Sequence, residues 1–520
     1  MPARRSLDAW SILSFAAAGH PDKLAIVDVH RTATYAQLHK HCISLAAELH
    51  SLGITRSSRL AILHRNAAEV LALHFAAAAL RAVVVNLNTA LAASELAYIL
   101  ADSGAEVVVA SADFAPTLAA AVEAAAGHGD GQQQQQQQQQ QLAQLLSSLL
   151  SDFHEDYGYH MYYTSGTTGR PKGVVLSHKI VVLHAIGTIM EMRLHGGDVW
   201  GHFAPLFHLV DVFAVYAITL VGGRHVLLPS FSAAEALLTM ERECVSVSNV
   251  ASTMVTLLLG NPLLPHRDLS RLRLLSCGGS PQPPATIARA IAALGCEFFV
   301  SYGMTECCGK ISIWQGWGGA AAEVYGALLG RVCTSGRPFM LMEVRTVDDS
   351  GADMAAGGDD VGEVLIRGPT VFGGYWQLPE ATAEAFTPDG WFATGDLATR
   401  AADGYITVVD RKKDMILCGG ENVYSTEVEA VLFAHPAVAQ AAVFGIPNAV
   451  LGELVAAAVV LRADAAVAAS APGGSGVIVG DIMEWCRARL GYYKVPSAVH
   501  VVDAMPVTGS GKILKTELRQ

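Results

Sequence analysis

Charge is scarce in this 520-residue chain, and it is not positive: Asp, Glu, Lys and Arg make up 16% of the residues and the formal net charge is −12. That sign excludes a chain-wide attraction to nucleic acid or to an anionic membrane, and it leaves room only for a local basic pocket that takes a phosphorylated ligand. Cysteine is sparse and scattered. The one close pair among nine, Cys307 and Cys308, has neither metal-ligand nor disulfide-framework spacing, so reduced structural thiols in an intracellular protein are expected. No uncharged apolar run reaches the roughly 20 residues a membrane span needs. The most apolar later stretch, Phe203 to Gly223, is split by Asp211 and contains Pro205 and His208, and it reads as a buried helix. Near the start, Arg4 and Arg5 precede AWSILSFAAAG, but Asp8 interrupts the approach and HPDKLAIVD runs directly into a strand. That patch reads as an N-terminal helix rather than a leader. The final LRQ is not an SKL-type address. A soluble intracellular protein, in the cytoplasm or an organelle, is expected.

What is present is apolar and alternating. Hydrophobic residues make up 52%, and 520 residues exceed what one core can organise, so at least two domains are expected. RAVVVNLN, AEVVVAS, RLRLLSCGG and CEFFVSYG are short apolar runs closed by glycine or polar residues, the pattern of strands covered on both faces. Helical stretches such as AASELAYILADSG lie between them, which implies a layered α/β architecture. GEVLIRGPTVFGGYW and GYITVVD read as a β-rich region, and the basic RKKD after Asp410 opens a new pattern. The expected division is 1–410 and 411–520, with the Ala/Gly/Ser-rich AAVAASAPGGSG as a linker inside the second part. Ten consecutive glutamines, Gln132 to Gln141, cannot bury enough apolar surface to offset their ordering entropy; a disordered insertion at about 128–145 is expected.

The chemistry concentrates first in YYTSGTTGRPKGVVLSHK, Tyr162 to Lys179. Thr164, Ser165, Thr167 and Thr168 supply hydroxyls, Gly166 and Gly169 free backbone N–H groups, and Lys172 adds a point charge, a set that can surround a polyphosphate. It is not a P-loop. Read from Gly166, Pro171 stands where that motif needs its last glycine and Gly173 where it needs a hydroxyl for magnesium.

This segment resembles the signature of the adenylate-forming superfamily, and four further motifs of that family follow in order. They are SYGMTE (Ser301 to Glu306), WFATGD (Trp391 to Asp396), DRKKDMILCGGENVYSTEVE (Asp410 to Glu429) and PVTGSGKILKTELR (Pro506 to Arg519). The resemblance covers nearly the whole chain. It implies a large N-terminal domain of two parallel-sheet α/β lobes plus a β-rich lobe, with a small mobile α+β C-terminal lid. It also implies a two-step ligation: a carboxylic acid attacks the α-phosphate of ATP with loss of pyrophosphate, and a thiol, usually coenzyme A, then displaces AMP. Carried over residue by residue, it makes Tyr302 the adenine platform, Thr305 an α-phosphate contact and Glu306 the Mg2+ ligand. Asp396 and Arg411 become the ribose pair, Lys413 the hinge and Lys512 the lid lysine that stabilises charge at the α-phosphate. Cys277 to Pro281 (CGGSP), with Gly278, Gly279 and Ser280, becomes the loop between acyl and adenine sites, where Gly303 also lies. PLFH makes His208 an acyl-pocket residue.

The departures bear on the substrate. Hydroxycinnamate ligases usually carry Lys and Gln where Leu417 and Asn422 stand, and small residues and proline after the motif glutamate, where this chain has CCGKIS. A phenylpropanoid acid is therefore not expected, and Lys310 falls near the pocket wall, where it either points to solvent, the first expectation, or faces the pocket, in which case a buried ammonium would need a second carboxylate or a polar tail. Ser425 replaces the usual proline of GGENVYPTEVE-like segments. The leading expectation is an AMP-forming acid:CoA ligase. The alternatives are a stand-alone adenylation enzyme that loads a carrier protein and a non-catalytic scaffold with the same fold.

Overall fold

The computed structural model describes residues 8–125, 154–164, 170–279, 284–316, 334–358, 360–470, 474–507 and 513–519. The glutamine insertion, Ser165, Gly166, Thr167, Thr168, Gly169, Ser280 and Lys512 lie outside the described residues. The chain divides into two compact units, Met1–Val344 with Ile366–Phe392, and Arg345–Leu365 with Ala393–Gln520. The division expected after Asp410 falls inside the second of them.

The first unit opens with the helix Ala9–Gly19, as its sequence implied, and Asp8 is its N-cap, accepting from the Ser11 backbone N–H at 2.7 Å. Two sheets follow. A nine-stranded sheet runs in the order Arg337–Pro338, Ser312–Gly316, Glu297–Tyr302, Leu274–Gly278, Val247–Ala251, Val199–His202, Arg224–Leu227, Leu24–Val27, Thr32–Thr34. Its six central strands are parallel and its edges antiparallel. A five-stranded sheet runs Val107–Ala110, Arg59–Leu63, Val83–Asn86, Gly158–Thr164, Lys172–Ser177, parallel except at the last pair. Val83–Asn86 and Leu274–Gly278 are buried at every residue. Helices cover both faces of such sheets, which is why these strands are uninterrupted apolar runs in the sequence. The helix Ala68–Leu80 is apolar all round and is buried except at Glu69.

The stretch Phe203 to Gly223 is not one helix. Only Phe213–Leu220 is helical. Asp211 is fully buried ahead of it, accepting from Trp200 Nε1 at 2.8 Å and paired with His202 Nδ1 at 2.9 Å. Those partners lie off the helix, and meeting them holds residues 203–212 in a loop. Among the described residues no helix is long and apolar enough to cross a membrane.

The second unit holds a four-stranded sheet, in the order Glu343–Val347, Gly362–Arg367, Phe392–Arg400, Ile406–Arg411. A five-stranded sheet is built on the long hairpin Val438–Asn448 and Gly452–Leu461. Helices Ser425–Phe433 and Gly474–Arg487 pack on the core that includes Val428, Leu432, Val443, Val455, Val459 and Ile482. The expected linker is partly helical: Ala463–Ala469 forms a helix, because alanine pays no side-chain entropy there.

Candidate active site

The phosphate-loop candidate is flanked by two strands that pair with each other. Strands Gly158–Thr164 and Lys172–Ser177 pair antiparallel, with Thr164 opposite Lys172 and Tyr163 opposite Gly173. Gly173, where a P-loop would carry its hydroxyl, is tightly packed. A Cβ there would lie 3.1 Å from the Trp376 Cβ and 3.3 Å from the Tyr163 ring, and its carbonyl accepts from the Trp376 N–H at 2.8 Å. The segment that crowds it also bridges Val174 to Tyr375, so Tyr375 is laid beside the hairpin stem.

Tyr375 joins two motifs far apart in sequence. The Lys172 Nζ lies 4.9 Å from the centre of its ring, and its hydroxyl donates to Glu306 Oε1 at 3.1 Å. Burial and the neighbouring Glu306 charge push the Tyr375 phenol well above its ordinary range, so it stays a donor. Glu306 is 6% exposed in a short 3-10 turn, Thr305–Cys307, and its carbonyl accepts from the Phe372 N–H at 2.7 Å. That turn follows directly from Tyr302, the last residue of a parallel strand, an edge where α/β sheets present ligand-binding groups.

Glycine is obligatory just ahead of it. A Cβ on Gly303 would lie 2.2 Å from the Gly309 carbonyl oxygen and 2.7 Å from the Lys310 Cα, because the chain doubles back on itself through Cys308 and Gly309. Gly278, at the end of the neighbouring strand and opposite Ser301, is equally confined: its Cβ would meet the Ser301 Oγ at 2.7 Å. Gly279 follows with φ +93°, a left-handed turn away from the sheet. Thus Tyr302, Gly303, Thr305 and Glu306 share one strand end with Gly278 and Gly279.

His208 lies in the loop ahead of Phe213, its N–H donating to the Pro205 carbonyl at 3.2 Å and its ring 5.0 Å from that of Phe207. Asn66 holds the same loop. Its side chain donates to the Ala204 carbonyl and accepts from the Leu206 N–H, both at 2.8 Å. Lys310 points inward, not to solvent as first expected, because its side chain packs on Phe213. It is 2% exposed, with Nζ 3.1 Å from the centre of the Phe213 ring.

In the second unit Asp396 and Arg411 are directly opposite on antiparallel strands, with Arg411 Nε 3.4 Å from Asp396 Oδ1. The carboxylate is buried and the guanidinium half-exposed. Gly395, at φ +70°, accepts from the Lys412 N–H at 2.8 Å, which sets the corner between them. Lys413 follows, with Nζ 3.9 Å from Asp414 Oδ2. Behind this corner, Asp410 accepts from the Arg411 N–H at 2.8 Å and the Ser425 hydroxyl at 3.1 Å.

Among the described residues no group of three or more His, Cys, Asp or Glu side chains could hold a metal ion by itself. Glu306 alone fits magnesium, which keeps most of its shell in water and substrate phosphate oxygens and needs only one or two carboxylates. Tyr375 and Asn66 were not singled out by the sequence. Tyr375 had one legible cue, an aromatic residue after the paired glycines of FGGYW, whereas Asn66 had none.

The AMP-binding enzyme family matches residues 13–376, and the AMP-binding enzyme C-terminal domain matches residues 427–512. A feruloyl-CoA synthase from an Amycolatopsis species is 37% identical over 96% of this chain and 98% of its own length. A 2-succinylbenzoate–CoA ligase from Geobacillus kaustophilus is 32% identical over 96% of this chain and 95% of its own. The structure of o-succinylbenzoate CoA synthetase from Bacillus subtilis with its acyl-adenylate intermediate superimposes with a TM-score of 0.82, at 27% identity over 99% of this chain and 98% of that one. The chain belongs to the adenylate-forming AMP-binding enzyme family, in its acyl-CoA ligase branch, whose reaction is the ATP-dependent ligation of a carboxylic acid to coenzyme A.

Proposed function

We propose that this chain activates a small-molecule carboxylic acid with ATP and transfers the acyl group to free coenzyme A, using the residues brought together around Tyr375. The observation that carries this reading is the meeting of Lys172 and Glu306 on one tyrosine, since it pairs a fixed cation with a buried carboxylate, the two needs of a polyphosphate with its metal. Thr164 and Lys172, with Ser165, Gly166, Thr167, Thr168 and Gly169 of the same motif, bind the β- and γ-phosphates. Magnesium held by Glu306 supplies neutralisation of the departing pyrophosphate. Tyr302 stacks on adenine, Gly279 and Ser280 line the adenine side of the site, and Thr305 donates to the α-phosphate.

Asp396 accepts from the ribose hydroxyls and Arg411 holds that carboxylate in place. Lys512 donates to the oxygen shared by the incoming carboxylate and the α-phosphate, so that its charge acts where negative charge develops. His208, Gly278 and Gly303 bound the acyl group. Lys413 is the hinge, at a functional boundary between 1–410 and 411–520, and the protein works in the cytoplasm, where both co-substrates are abundant. Incubating the full-length protein with ATP, magnesium and a panel of carboxylic acids, with and without coenzyme A, tests this reading. Acid-dependent pyrophosphate exchange, and AMP release that requires free coenzyme A, are expected. ADP as the product, or AMP release that needs a carrier protein, would overturn it.

A further inference from the structure

Lys310 is the least explained charged group in the first unit. Its backbone is pinned between two parts of the candidate acyl site: its Cα backs onto Gly303, and a Cβ on neighbouring Gly309 would lie 3.3 Å from the carbonyl oxygen of Leu209, the residue after His208. From there the side chain is buried, and its Nζ has no hydrogen-bond partner among the described residues. His184 is equally unsatisfied. It is fully buried, neither ring nitrogen has a hydrogen-bond partner among the described residues, and the Lys310 charge acts on it.

The groups around this pair cannot complete it. Asp211, the carboxylate that acts on Lys310, is committed to Trp200 Nε1 and His202 Nδ1. Burial pushes the Cys307 thiol up to about 12 and the Cys308 thiol higher, so both are neutral and offer no counter-charge. The ammonium is left with the face of Phe213. Buried polar groups are almost always bonded, and an amine and an imidazole that both approach the Phe213 ring, each without a hydrogen-bond partner among the described residues, call for an acceptor from outside the chain.

We propose that the acid this protein activates carries a second carboxylate, and that Lys310, with His184 on the same Phe213 ring, receives that group while the reacting carboxylate lies at the α-phosphate. The step rests on the acid:CoA ligase reading given above. Burial holds the Lys310 amine down to about 7, so in the free protein it alternates between neutral and charged forms, and an arriving carboxylate fixes it as the ammonium. A charge-assisted hydrogen bond then replaces the contact with the Phe213 ring. A monocarboxylic acid leaves the amine and the imidazole desolvated and unbonded, which is how a site built for a polar group rejects an analogue lacking one.

The test uses full-length protein, coenzyme A-dependent AMP release, and matched series of α,ω-dicarboxylic acids, aliphatic and aromatic, with their mono-methyl esters. For at least one chain length the diacid is expected to exceed its ester in kcat/KM by about tenfold or more, the loss of one buried charged contact. In Lys310→Met that ratio falls toward one. A wild-type preference for the ester at every length, or an unchanged ratio in Lys310→Met, overturns the proposal and leaves the ligase reading standing. No AMP release with any acid overturns both. Should Lys310→Met fail to fold, the diacid and ester comparison on the wild-type protein decides by itself.

Discussion

Lys310 in the first unit and Lys515 in the second are both drawn out of water, yet their surroundings are opposite. The Lys515 Nζ lies 2.6 Å from the Ser425 hydroxyl and 2.8 Å from Glu429 Oε1, and Ser425 in turn bonds Asp410. That cluster ties the C-terminal helix Lys515–Leu518 to the helix Ser425–Phe433, and it depends on a serine where the family's usual proline has no hydroxyl to offer. Lys310 has an aromatic face and no acceptor. A lysine that serves structure brings its counter-charges with it, whereas one that serves a ligand is left incomplete at a cost to stability.

The sharpest break of that comparison is Lys310→Met. Because burial holds the folded amine down to about 7, below its ordinary 10.5, the unfolded chain binds the extra proton between these values, and wild-type stability should rise with pH across that window. The shift corresponds to at most about 5 kcal/mol. Lys310→Met removes the slope, so the variant should melt above the wild type at pH 7 and below, with the advantage shrinking toward pH 10. A melting temperature whose pH dependence is unaltered would mean that Lys310 is not the buried amine described here.

Next in size is Lys512→Ala. Removing a donor aimed at developing charge costs about 100- to 1000-fold, and the loss should appear in acyl-adenylate formation, followed by pyrophosphate exchange, more than in thioester formation from supplied adenylate. Adenylate formation at the wild-type rate would remove the assigned mechanism.

Lys515→Met should act with the opposite sign to Lys310→Met. It leaves Glu429 and Asp410, both already raised by burial and lowered by Lys515, without their cation. A loss of about 3 kcal/mol is expected, read in denaturant unfolding of the second unit. The loss should grow from pH 4 toward neutrality as those carboxylates are forced to ionise. The smallest effect is Tyr375→Phe, which deletes one hydrogen bond to a charged group, about 1.5 to 3 kcal/mol in general. Magnesium remains to hold Glu306, so a rise of about fivefold in the magnesium concentration needed for half-maximal activity is the expected reading.

The motifs were legible because each packs its chemistry into consecutive residues. Thr305 and Glu306 had to share a turn, and Asp396 had to sit at a glycine corner. The strands RAVVVNLN and RLRLLSCGG were legible for the same local reason, since burial on both faces leaves no polar position. What failed was also local in origin: Phe203 to Gly223 looked like a helix because its apolar residues are contiguous, and the pull of Trp200 and His202 on Asp211 is exerted by residues on other elements. AAVAASAPGGSG read as a linker by composition, although its alanines favour the helix that forms.

By itself the sequence determined the family, the order of the motifs, the α/β architecture and the chemistry of a carboxylate joined to ATP and a thiol, because these reside in residue types at fixed spacing. It also flagged Lys310 as a misfit. Only the tertiary structure decided that Tyr375 joins Lys172 to Glu306, that Asn66 holds the His208 loop, and that Lys310 turns inward onto the Phe213 ring that His184 also approaches. Those contacts join residues separated by tens to hundreds of positions, and burial, which decides whether a polar group has a partner or waits for one, is a property of the packed chain and not of any segment of it.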